Sequence, residues 1–84
     1  PFNPNTTIQY GVPEPSNVTI KVFDLVGREI VTLAEGEVAA GTYRVGFDAR
    51  NLSSGLYLYR MTATPISGGN REPFTAVKKL LLIK

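Results

Sequence analysis

Residues 17–24 read NVTIKVFD and form the most regular segment of the sequence. Val18, Ile20 and Val22 alternate with more polar neighbours, so they fall on one face of an extended chain. This period of two predicts a β-strand with one face in the core, and the rest of the fold can be worked out from it in both directions.

The residues that follow, DLVGR at 24–28, predict a tight hairpin turn. A type I turn followed by Gly27 in a left-handed conformation produces the bulge that matches the twist of the flanking strands. Glycine suits that position because a Cβ there costs energy. A second strand is expected over about Glu29–Ala34, where a continuous apolar run leaves the inward face undetermined.

Four further segments have strand patterns bounded by glycine or proline. We predict these strands at about 6–12, 41–48, 56–64 and 74–83, with turns at 35–37 and at 39–41, the latter closing on Gly41. No segment has a helical period. Strands separated by frequent turns are typical of sandwiches. The sequence therefore predicts an all-β fold, an immunoglobulin-like antiparallel β-sandwich of six or seven strands, in one domain over 1–84.

The segment LSSGLYLY at 52–59 predicts a corner between a loop and a central strand. Gly55 allows the chain to turn, and the hydroxyl of Tyr57 can return to the backbone, as in the tyrosine corner of immunoglobulin-like sandwiches. Spacing alone equally allows Tyr57 and Tyr59 to be ordinary core aromatics.

Composition argues against several classes of function. The 84 residues include no Cys, His or Trp, so the usual transition-metal ligands and nucleophile–base pairs are missing, and we expect no cofactor. The acidic residues lie mostly beside turns, where solvation explains them better than glycosidase chemistry does. Asp48 and Asn51 offer oxygen ligands for calcium, but no ligand loop surrounds them.

The charge is distributed unevenly along the chain. The net charge is +2, yet residues 1–77 hold six basic and seven acidic side chains, so the excess lies in the tail, with Lys78, Lys79 and Lys84. A nucleic-acid interface needs a broader basic face, so we expect none. No apolar run is long enough to span a membrane, and the first residues do not resemble a signal peptide. We therefore expect the chain to be part of a larger protein.

Several short motifs occur in the order that is typical of one family. They are FNPNT at 2–6, VTIKVFDLVGR at 18–28, AG at 40–41, FDA at 47–49, LSSGLYLYRM at 52–61 and KKLLLIK at 78–84. In this pattern the chain resembles a type A C-terminal sorting domain of the type IX (Por) secretion system of Bacteroidota. A related immunoglobulin-like module occurs in flagellar hook-capping proteins.

The resemblance implies a signal without catalytic activity, which directs an N-terminally linked cargo, often a hydrolase such as a glycoside hydrolase, across the outer membrane to the cell surface. The implied partners are the secretion machinery, including its outer-membrane translocon and its sortase, and we expect the domain itself to be a monomer. The resemblance places the recognised signal in the tail, at Lys78, Lys79, Leu80, Leu81, Leu82, Ile83 and Lys84.

Two interpretations of the tail remain open from the residues alone. A terminal strand can offer its backbone and alternate side chains to a receptor, with the lysines attracting an acidic partner or anionic lipid head groups. Lysines at a sheet edge can also simply discourage aggregation. A different function, a passive or carbohydrate-binding accessory module, would need outward aromatics among Phe2, Phe23, Tyr43 and Phe74, for which core packing is the favoured role.

Overall fold

The chain consists of six antiparallel β-strands, and the computed structural model describes residues 5–66 and 72–83. The first three residues of the predicted N-terminal motif, Lys84 and most of the loop before the last strand lie outside these residues. The strands are β1 (Asn5–Val12), β2 (Ser16–Phe23), β3 (Glu29–Val38), β4 (Gly41–Asp48), β5 (Gly55–Pro65) and β6 (Phe74–Leu82).

The strands form two sheets, one with the order β3-β2-β5-β6 and a smaller one in which β1 pairs with β4. Every pairing is antiparallel. The predicted all-β sandwich is therefore confirmed, with six strands among the described residues. β5 lies between β2 and β6, which agrees with the apolar character of both its faces.

The core lies between the two sheets and is centred on β2. Val18, Ile20 and Val22 are almost completely inaccessible to solvent, as their alternation predicts. The register places them directly opposite Ala63, Met61 and Tyr59 of β5. The small sheet covers this layer with its buried side chains Ile8, Val12 and Phe47.

β3 corrects the predicted boundaries. It continues to Val38, so the turn predicted at 35–37 is wrong. Gly36 lies inside the strand opposite Val18, and pairing with β2 continues on both sides of it. Backbone pairing across the sheet has therefore prevailed over the local turn preference of glycine.

β3 also contains two irregularities in its pairing with β2. The partners step from Ala34 to Thr32 and from Val31 to Glu29, which leaves Leu33 and Ile30 as extra residues. Each extra residue shifts the alternation of faces by one position. Ile30, Val31 and Leu33 consequently all pack against the core in part, which explains why the inward face could not be read from this run.

The β2–β3 connection is a tight turn held by its own backbone and by one carboxylate. The Gly27 amide donates to the Asp24 carbonyl oxygen at 3.0 Å, and the Asp24 amide donates to the Arg28 carbonyl oxygen at 3.0 Å. Gly27 has φ +96°, where a residue with a Cβ is strained. The Asp24 Oδ1 atom accepts from the amides of Val26 and Arg28 at 3.0 and 2.9 Å.

Candidate functional site

Within residues 5–66 and 72–83, the last strand β6 lies at the edge of the larger sheet and pairs with β5 alone. Had it lain between two neighbours, no backbone edge would remain for a receptor to contact. Along the pairing with β5, Leu81 lies opposite Leu56, Leu80 opposite Tyr57, and Lys79 opposite Leu58. The part of the predicted segment that lies in β6, residues 78–82, is therefore a strand whose outer side has no described partner.

The tail residues that face the small sheet help to hold the domain together. Leu82 is only 6% exposed and belongs to a core cluster with Val22, Phe47 and Tyr57. Leu80 is half-buried against the same cluster. Burial of a leucine side chain contributes roughly 1.5–3 kcal/mol, so these residues anchor the end of β6 to the sandwich.

The tail residues on the opposite face are presented to solvent. Val77 and Leu81 are 57% and 62% exposed, and Lys79 lies between them on the same face. Across the sheet, Leu56 is exposed and Leu58 is half-buried. We call this surface the outer patch and define it as Leu56, Leu58, Val77, Lys79 and Leu81.

Lys78 lies on the other face of β6, at the mouth of a groove between the two sheets. The groove has a volume of about 260 Å³ and runs between β6 and the outer edge of β1, with Gln9, Tyr59 and Ala76 among its lining residues. In the described part of the chain the small sheet has two strands, and its Phe47 packs in one cluster with Leu82 at the end of β6, whereas Lys78 lies at the open groove. Lys78 is exposed for this reason.

The two edges of the larger sheet carry opposite charges. β6 contains two ionisable side chains, Lys78 and Lys79, and no described residue forms an ion pair with either. β3 carries Glu29, Glu35 and Glu37, all exposed. The sheet is therefore basic at one edge and acidic at the other.

Two carboxylates near the β3 edge are stabilised in their charged form. The Arg28 backbone amide, which donates to the carboxylate, is the main factor that lowers the pKa of Asp24 below its usual value, and the Arg28 side chain adds to it. The Lys21 ammonium, 3.1 Å from the Glu29 carboxylate, is the main factor that lowers the pKa of Glu29. Both effects favour the ionised carboxylate.

The predicted corner residues occupy strand boundaries. Tyr57 is buried at the start of β5, and its hydroxyl donates to the Ser53 carbonyl oxygen at 2.9 Å. Gly55 and Gly41 are the first residues of β5 and β4. A second bond of the same kind was not predicted: the Tyr43 hydroxyl donates to the Ala39 carbonyl oxygen at 2.6 Å, where the chain passes from one sheet to the other.

The other candidate sites are the proposed calcium ligands, a metal centre and a membrane span. The Asp48 carboxylate accepts from the Arg50 guanidinium at 2.8 Å, which occupies an oxygen proposed for calcium. Within residues 5–66 and 72–83, no three Asp, Glu, His or Cys side chains are grouped as metal ligands would be. Likewise, none of these residues belongs to a helix that is long and apolar enough to cross a bilayer.

The aromatic side chains differ partly from expectation. Tyr43 stacks on Tyr10 between the sheets with ring centroids 5.5 Å apart, in agreement with a core role. Phe74 is 61% exposed, and Phe23 lies on the outer face under the Arg60 guanidinium, 4.8 Å from the ring centre. The prediction of core packing is therefore wrong for these two phenylalanines. Phe2 lies outside the described residues.

Sequence reasoning treated the tail as one uniform segment and missed its division into two faces. The alternation within KKLLLIK is hidden because apolar residues occupy both faces of the strand end. The contributions of Val77 and Leu56 to the outer patch were missed as well. The apolar character of both faces of β5 was the available signal, since an edge strand beside it leaves part of that surface uncovered.

Comparison with known families identifies the chain. The family model described as secretion system C-terminal sorting domain matches residues 1–68, which is most of the 84-residue sequence and ends before β6. No match was found among curated proteins or among solved structures.

Membership of this family carries a function. Such a domain is the C-terminal signal that directs the protein to which it is attached through the type IX secretion system, across the outer membrane to the cell surface or the extracellular space. Sorting-signal domains are in general non-catalytic, and they interact with the secretion machinery. The chain belongs to the family of secretion system C-terminal sorting domains.

Proposed function

We propose that residues 1–84 form the C-terminal module of a larger secreted protein and that the secretion machinery contacts this module at β6. The observation that carries this proposal is the position of β6 at a sheet edge, where it has exposed side chains and no strand partner on its outer side among the described residues. The contacted segment comprises Lys78, Lys79, Leu80, Leu81, Leu82, Ile83 and Lys84.

The alternation of β6 suits it to two tasks at once. Leu80 and Leu82 face the core and keep the strand attached to the sandwich. Val77, Lys79 and Leu81 face outward and are available to a partner in the folded domain. A signal of this kind is displayed only after folding, because β6 requires β5 and the core cluster to hold it in place.

The finer parts of the proposal concern partners and chemistry. The outer-membrane translocon and the sortase are the components that would handle the module, and the cargo would be linked to its N-terminal side. We assign no chemistry to the module: Asp24, Glu29 and Asp48 serve a turn and surface ion pairs, and no three described Asp, Glu, His or Cys side chains are grouped as metal ligands would be. We therefore assign any enzymatic activity of the whole protein to the cargo.

A reporter fusion tests the proposal. Residues 1–84 are fused to the C-terminus of a periplasmic reporter in a host that has a type IX system, and surface exposure is measured by protease accessibility on intact cells. We expect the reporter to reach the surface. A folded fusion that stays in the periplasm would contradict the proposal.

Truncation and substitution address the role of β6 separately. Removal of residues 78–84 should abolish export, but it also removes the buried Leu82, so loss of export alone does not separate recognition from folding. Leu81→Ala changes an exposed side chain and should reduce export while the domain remains folded. Thr32→Ala, at an exposed position on β3, is the matched control and should leave export unchanged.

A further inference from the structure

The free edge of β6 differs from most edges of natural sheets. Such edges are usually short, bulged or covered, because unpaired backbone groups bind other strands. β6 is nine residues long and pairs with β5 without a register shift. Among the described residues, no strand pairs with its outer side. The structure therefore presents a regular template to which an extended chain can add.

Lys78 and Lys79 determine which extended chain can pair with the outer side of β6. A second copy of β6 aligned antiparallel and centred on the strand places Lys78 opposite Lys78, and a shift of one residue places Lys78 opposite Lys79. A parallel copy in register opposes each lysine to itself. Like charges directly opposite each other destabilise a strand pair, so β6 disfavours its own copy. The same charges favour a strand that carries carboxylates at these positions.

We propose that β6 binds an extended segment of the secretion machinery as an added strand, with two consecutive acidic residues opposite Lys78 and Lys79 and apolar residues opposite Val77, Leu80 and Leu81. This inference rests on the proposed function and specifies its partner. Lys78 and Lys79 point to opposite faces, so one carboxylate lies on the groove side and the other within the outer patch. The binding strand therefore has the order apolar–acidic–acidic–apolar–apolar, in either chain direction.

The opposite edge of the same sheet provides the internal control. β3 carries exposed carboxylates and two interruptions of its register, so an acidic strand meets repulsion and an irregular backbone there. Addition should therefore occur at β6 and not at β3. No other edge of this sheet is available, because β2 and β5 are both paired on two sides.

Synthetic peptides test the pairing directly. The probe contains Val-Glu-Glu-Leu-Leu, in this order and reversed, within a polar flanking sequence, and it is titrated into the labelled 84-residue chain while amide signals are followed by NMR. We expect changes and slower amide exchange along β6. A Lys78→Glu/Lys79→Glu double variant should bind about tenfold more weakly, and a peptide with Val-Lys-Lys-Leu-Leu should restore its binding. Glu35→Gln/Glu37→Gln on β3, which adds no positive charge to that edge, is the control and should leave the affinity unchanged.

Several results would overturn the inference. They are equal binding of the acidic and basic peptides, signal changes centred on β3, and a homodimer formed through β6 in sedimentation experiments. Binding of the chain to vesicles of anionic lipid, with no binding of the acidic peptide, would assign the lysines to a membrane surface and overturn it as well.

Export separates this inference from the proposed function. If the wild-type domain exports the reporter and the Lys78→Glu/Lys79→Glu variant exports it equally well, the added strand is contradicted while the sorting function stands. If the wild-type domain fails to export the reporter, the proposed function itself fails. Loss of export in the double variant, with the Glu35→Gln/Glu37→Gln variant unaffected, supports both.

Discussion

The larger sheet ends in two edges, β3 and β6, that are built from opposite features. β3 has two interruptions of its register, exposed carboxylates and a glycine inside the strand. β6 has an uninterrupted register, two lysines and exposed apolar side chains such as Val77 and Leu81. One edge resists pairing by its shape as well as its charge, whereas the other resists only by charge.

The contrast between β3 and β6 indicates how a small domain can expose a strand and still disfavour aggregation. Irregular backbone excludes every added strand, while positive charge excludes strands of like charge and admits acidic ones. β6 is thus closed to its own copies and open to a complementary partner. The same strand must also stay attached to the sandwich, and it does so through side chains on its inner face.

The largest effect on stability should come from a substitution on the inner face of β6, compared with the same substitution on its outer face. We expect Leu82→Ala to lower the free energy of unfolding by about 2 kcal/mol, because it removes a buried side chain and leaves a cavity. Leu81→Ala, one residue earlier on the exposed face, should change it by less than about 0.5 kcal/mol. Urea denaturation of both variants and the wild type measures the difference.

Equal losses of stability in the two variants would contradict the division of β6 into an anchoring face and a displayed face. The two alanine variants have the same chemistry at adjacent positions, so their comparison removes the intrinsic effect of the substitution. Only the environment of the side chain differs.

The next largest loss of stability should come from a change in the turn that connects β2 to β3. Gly27 has φ +96°, so Gly27→Val should destabilise the domain by about 1–2 kcal/mol, because a β-branched residue is strained in this region. Apart from Gly27 and its chain neighbours, no heavy atom lies within 4 Å of an added Cβ, so we assign the effect to backbone conformation. Thermal melts compare the variant with the wild type.

Gly46→Val in β4 is the matched control for this turn. Its added Cβ also meets nothing within 4 Å, but Gly46 does not have a positive φ. Valine suits an extended strand, so this variant should melt close to the wild type. Coinciding melts for the Gly27 and Gly46 variants would show that the strain at Gly27 is not significant.

The sequence predicts the interior strand β2 better than the edge strand β3. Alternation in β2 predicts the core residues Val18, Ile20 and Val22 correctly, because a strand buried on one face has a period of two. Alternation fails to predict the inward face of β3, because its extra residues are defined only by the pairing with β2. The prediction of a turn at 35–37 is wrong for the same reason, because a local turn preference contains no information about a partner strand across the sheet.

The candidate site could be predicted in position but not in detail. The charge excess and apolar end of the sequence indicate the tail, yet they do not reveal which strand occupies the sheet edge. That depends on the topology, which leaves β6 with one neighbour. The contrast between exposed Leu81 and buried Leu82 likewise depends on the coverage by the small sheet.

The smallest effect should be a difference in acid sensitivity between the β2–β3 turn and the β5–β6 pairing. Asp24 and Glu29 have pKa values below their usual range in the folded protein, so their contribution to stability is present above the ordinary carboxyl pKa and is lost as pH falls through the folded value. Glu29 is exposed, and the Asp24 side chain, although only 16% exposed, pairs with a guanidinium in solvent, so these interactions are weak. β6 contains no carboxylate. Acidification below about pH 4 should therefore loosen the β2–β3 turn before the β5–β6 pairing.

Amide hydrogen exchange, corrected for the intrinsic effect of pH, measures this local loosening. We expect the protection of Val26 and Arg28, whose amides donate to the Asp24 carboxylate, to fall with pH, while the protection along β5–β6 stays constant. Asp24→Asn, which cannot ionise, should make the turn less protected at neutral pH and remove most of its pH dependence. Parallel loss of protection at both edges would mean that acid acts on the whole sandwich, because a carboxylate confined to the β3 side affects β6 only through global unfolding.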